Sequence, residues 1–92
     1  MNNTLDLTER RQFGRRKVAF EGVIWVPCRP KISCLVSNIS TMGALVELNP
    51  HTWLPGKFRL VVAGKFDVDC QLTHRTAITA GVAFLTPIAD IK

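Results

Sequence analysis

FDVDCQLTH, residues 66–74, decides how the rest of the chain is read. Phe66, Val68, Cys70 and Leu72 fall on one face; Asp67, Asp69, Gln71 and Thr73 fall on the other. A period of two marks a half-buried strand, because successive side chains of extended backbone point to opposite sides. Immediately upstream, FRLVV (58–62) is a second β-branched run, and only Ala63, Gly64 and Lys65 separate the two. Two strands so joined form a hairpin.

The same signature continues in both directions. Downstream, TAGVAFL (79–85) closes the series. Upstream stand VAFEGVIWV (18–26), KISCLVSNI (31–39) and the short ALVEL (44–48). Pro27 and Pro30 break the chain after the first of these, because proline donates nothing to a sheet ladder. NISTMG (38–43) reads as a turn, and NPHTWLPGK (49–57) as a loop. Six strands with short connections predict an all-β antiparallel barrel or sandwich. The last segment, TPIADIK, leaves room for at most a short C-terminal helix. With 92 residues the chain is one domain, burying only about 60–65% of its unfolded surface, so a deep catalytic pocket is not expected.

Residues 1–17 are set apart by composition: polar, then basic, with no apolar period. They read as a flexible N-terminal arm on a barrel domain of residues 18–92. The net charge is +5, and ERRQFGRRK (9–17) holds five positive charges and one negative, leaving +1 for everything else. The basicity therefore belongs to the arm. The N-terminus is polar and no apolar stretch approaches the roughly 18 residues of a membrane helix. With three cysteines, an odd number, the plain reading is a reduced, cytoplasmic protein with no membrane insertion.

Two polar constellations are candidates for function. Arg10, Arg11 and Arg15 lie within RRQFGR. Guanidinium groups grip phosphate bidentately, pair with the O6/N7 edge of guanine and stack on flat rings, although a charge run is usually a solvated tail. Asn38, Ser40 and Gly43 lie within NISTMG. By themselves they describe an ordinary polar turn; they also offer donors and acceptors to a base edge, with Gly43 allowing close approach to the backbone.

Taken together, Arg-x-x-x-Arg ahead of the first strand and Asn-x-Ser-x-x-Gly between the second and third resemble the PilZ domain, a family of bacterial receptors for cyclic di-GMP. Arg11 and Arg15 match the first half of its pattern; Asn38, Ser40 and Gly43 match the second. Arg10 supplies the doubled arginine of many members. LPGKFRLVV and CQLTHRTAITAGVAFL look like later parts of the same domain, so the resemblance spans roughly residues 9–86. The departures are His74 where the family often has Trp before Arg75, and the short or missing C-terminal helix.

The resemblance implies a six-stranded barrel and a cyclic di-GMP site. Arg11 and Arg15 are expected to take phosphates and guanine edges, with Arg10 adding a further contact. Asn38 and Ser40 are expected to hold one guanine, with Gly43 making room. Arginine at position 10 leans towards an intercalated ligand pair. The arm is expected to be mobile when free and to fold onto the barrel with the ligand, presenting a new surface to a downstream protein.

Other residues are read more plainly. Cys28, Cys34, Cys70 and His74 could supply zinc ligands, and Cys70 and His74 fall on one face by alternation, but without a C-x-x-C pair the thiols are expected to be buried. Trp25 is expected in the core. Trp53 is a candidate partner anchor, and His51 an exposed loop residue. No catalytic set, P-loop or dinucleotide fingerprint is present, so an enzyme is not expected, nor a cofactor beyond the ligand. Two alternatives remain: a small barrel for single-stranded nucleic acid, disfavoured if the aromatics are core, and a PilZ-like module that binds protein without a ligand.

Overall fold

The computed structural model describes residues 16–86 and 88. They form six strands: β1 (Arg16–Trp25), β2 (Ile32–Ile39), β3 (Gly43–Glu47), β4 (Lys57–Val62), β5 (Phe66–Arg75) and β6 (Thr79–Phe84). Every pairing is antiparallel, and the order β1-β2-β3-β6-β5-β4 closes on itself as a barrel. This is the six-stranded fold read from the sequence, with strand ends shifted by a residue or two. Among the described residues there is no helix, and so none long and apolar enough to cross a membrane. The arm's Arg10, Arg11 and Arg15, and nearly all of the C-terminal segment, lie outside the described residues.

The core follows from the period of two. Ile24, Val36, Val46, Leu60 and Cys70 are fully enclosed, one from each of five neighbouring strands, and Ala80 joins them from β6. Burying a branched aliphatic side chain of this kind stabilises by about 1.5–3 kcal/mol, and close packing makes the barrel interior solid. Phe66 and Phe84 meet with ring centroids 5.8 Å apart, Phe84 within the core and Phe66 packed against it.

Three bulges interrupt the ladders. Between the pairs Lys17↔Asn38 and Phe20↔Val36, β1 takes one residue more than β2. Between Val36↔Val46 and Asn38↔Leu45, β2 takes one more than β3. Between Leu72↔Val82 and His74↔Gly81, β5 takes one more than β6. An extra residue reverses the in–out phase of everything beyond it. Val36 and Ile39 therefore both point inward although they are three positions apart, an odd spacing.

The third bulge corrects one expectation. Cys70 is enclosed, but past the bulge His74 is exposed and Arg75 is the half-buried residue, so Cys70 and His74 do not share a face. Two others also change. Trp25 is 42% exposed, because Ile24 takes the inward position and its neighbour must face out. Cys28 is exposed in the β1–β2 loop, whereas Cys34 and Cys70 are buried.

Candidate ligand-binding site

The Asn38–Gly43 turn is built by its own polar atoms. The Ser40 amide donates to the Gly43 carbonyl at 2.9 Å, closing the connection between β2 and β3. The Ser40 hydroxyl accepts from the Met42 amide at 3.2 Å and lies 3.4 Å from the Gly43 carbonyl, to which it donates. Serine serves here as a turn former, by competing locally for backbone partners. The turn is then tied to the chain's far end: Phe84 N–H donates to Met42 O at 2.8 Å and Ile88 N–H to Thr41 O at 3.2 Å.

Gly43 is required by the barrel itself. A Cβ placed on it would stand 2.4 Å from the Val82 carbonyl oxygen of β6, far inside van der Waals contact. The space expected to admit a ligand at this residue is, in the Cβ direction, occupied by neighbouring backbone. Asn38 forms the pair next to two of the bulges, half-buried, with Lys17 opposite it on β1 and Leu45 opposite it on β3. Arg16 is opposite Ile39. The chain therefore enters β1 beside this turn, and Arg15 is bonded directly to a residue of that entry.

Electrostatics elsewhere are simple. Among the described residues the one ion pair is Arg59 with Asp67, a two-pronged contact across the β4–β5 hairpin. The hydrogen bond from Arg59 holds the Asp67 carboxyl below its usual range, and the same bond raises the guanidinium. Burial pushes the Cys34 thiol up to about 11 and, with help from the nearby Asp69 charge, the Cys70 thiol to about 12. Both therefore stay protonated and poor as nucleophiles or ligands at neutral pH. Among the described residues no three His, Cys, Asp or Glu side chains gather as a metal site.

A second feature was missed in the sequence. Around Trp25 a cleft of about 670 Å³ opens between the β1–β2 loop and the start of β4. Lys31 stands over the Trp25 indole at 4.4 Å and Arg59 at 5.7 Å. Arg29, in the same loop, lies 4.4 Å from the ring centroid of Trp53, which is 52% exposed. The available signal was parity: with Ile24 inward, Trp25 faces the side where Arg59 of β4 stands opposite it in register.

Comparison with protein-family models, with curated proteins and with solved structures gave no match to this chain.

Proposed function

We propose that this protein is a cyclic di-GMP receptor of the PilZ type, acting in the cytoplasm and passing its signal to a partner protein. The observation that carries the reading is the junction of β1 with the Asn38–Gly43 turn. Arg16 and Lys17 pair with Ile39 and Asn38, and Arg10, Arg11 and Arg15 shortly precede them in the sequence, which supports joining the two halves of the motif in one site. Arg10, Arg11 and Arg15 then take phosphates and guanine edges. Asn38, the first paired residue past the β2 bulge against β3, offers an amide beside the turn; bulges commonly aim side chains at binding sites. Ser40 acts through the turn, since its hydroxyl is engaged with Met42 and Gly43. Gly43 acts by letting β3 and β6 close together beneath it.

Calorimetric titration of cyclic di-GMP tests this. The wild-type protein is expected to bind saturably, with two ligands per chain if Arg10 admits a stacked pair. Arg11→Ala/Arg15→Ala is expected to weaken binding about 100-fold or more, since each charge-assisted contact is worth about 1.5–3 kcal/mol. Absence of saturable binding by the wild type overturns the reading. A second reading, single-stranded nucleic acid, gains from the exposure of Trp25 and Trp53 beside cations, which removes one objection to it. Steep weakening by salt and indifference to the cyclic dinucleotide distinguish it.

A further inference from the structure

We infer that the Trp25 cleft is a second binding site, for an amphipathic organic monoanion: an acyl or aromatic body with one carboxylate-type head. It uses no residue of the Arg-x-x-x-Arg or Asn-x-Ser-x-x-Gly motifs, and so stands independently of the cyclic di-GMP reading.

The walls are apolar. Val26, Phe58, Cys70 and Leu85 line the cleft with the Trp25 indole, and its volume of about 670 Å³ falls within the roughly 300–1,000 Å³ of small-molecule sites. The rim is cationic, with Arg29, Lys31, Lys57 and Arg59 against the single carboxylate of Asp69. Arg59 is engaged by Asp67, but among the described residues no carboxylate pairs with Arg29, Lys31 or Lys57. An apolar hollow with several cations at its edge selects a ligand apolar along its body and negative at one end. A neutral hydrophobe leaves the rim unanswered, and a polyanionic strand leaves the walls unanswered.

The loop above the cleft is shaped in advance. Cys28 holds a φ of 63°, a left-handed conformation uncommon outside glycine, and the turn is closed by the Arg29 amide on Val26 O at 3.1 Å. That turn sets Arg29 over Trp53 and leaves Lys31 over Trp25. Preorganisation of this kind lowers the ordering cost of binding.

Decanoate is the probe, with decanol as its neutral counterpart. Trp53→Phe leaves Trp25 as the only tryptophan, so emission reports the cleft directly. Decanoate is expected to change that emission saturably, and to slow alkylation of Cys28 by iodoacetamide at least several-fold in the unaltered protein. Cys28 is the one exposed thiol, which makes the second readout independent of any variant. Lys31→Glu/Lys57→Glu, two exposed substitutions, is expected to weaken decanoate at least tenfold while leaving cyclic di-GMP titration unchanged. The inference is overturned if decanoate gives no saturable response or no Cys28 protection. It is equally overturned if decanol matches decanoate, if charge reversal has no effect, or if oligothymidylate binds the cleft more tightly than decanoate.

Discussion

At Gly43 one missing methyl group sets how closely β3 and β6 approach. The Val82 carbonyl oxygen occupies the place a side chain would take, and backbone cannot swing aside as a lysine tip can. Gly43→Ala is therefore expected to destabilise the barrel by about 1–3 kcal/mol, the usual cost of overpacking, as read from the midpoint of urea unfolding. A loss below a few tenths of a kcal/mol would show that the strands separate freely there. Ser40 teaches a related lesson: the sequence offered its hydroxyl to a ligand, and the fold spends that hydroxyl on Met42 and Gly43. Residue type and spacing identified both positions but not the direction in which each acts.

Among elements, legibility followed the strength of alternation. β5 was read almost residue by residue, since carboxylates and apolar groups alternate through Gln71. The limit came at Thr73, where an inserted residue reversed the phase; no side chain announces a bulge that Gly81 accommodates from the opposite strand. β1 failed differently. VAFEGVIWV is apolar on both faces, so its hydropathy fits either phase, and Trp25 was assigned inward when barrel closure against β4 puts it outward. The cleft stayed hidden for the same reason, since its cations come from separate segments that only closure assembles. Past the β5 bulge, Arg75 donates to Thr79 O and to Thr52 O, holding the loop that carries Trp53 against the β5–β6 hairpin. Arg75→Ala is expected to free that loop, costing about 1–3 kcal/mol and speeding amide exchange at Thr52 and its neighbours. Unchanged exchange there would mean the loop is held by other contacts.

For the whole molecule, closure turns two thiols into a pH limit. Cys34 and Cys70 must be neutral to stay in the core, and burial raises them to about 11 and about 12 from an ordinary value of 9.0. In the unfolded chain they ionise first, so the folded state binds more protons above pH 9. Their contribution is complete below about pH 9 and is lost as pH rises towards 11 and 12, with a limiting slope of about 1.4 kcal/mol per pH unit for each thiol. Urea midpoints between pH 8 and pH 10.5 are expected to fall more steeply for the wild type than for Cys34→Ala/Cys70→Ala; parallel curves would contradict this. The closed order β1-β2-β3-β6-β5-β4 has one more consequence. Each strand has a neighbour on both sides, but the β1–β4 contact is short: of β1 only Val23, Ile24 and Trp25 pair with β4, and among the described residues the stretch from Arg16 to Gly22 is paired only with β2. Along that stretch one row of backbone donors and acceptors stands without a strand partner among the described residues, so another chain's strand can be added there without parting the seam of Val23, Ile24 and Trp25 against Val61, Leu60 and Arg59.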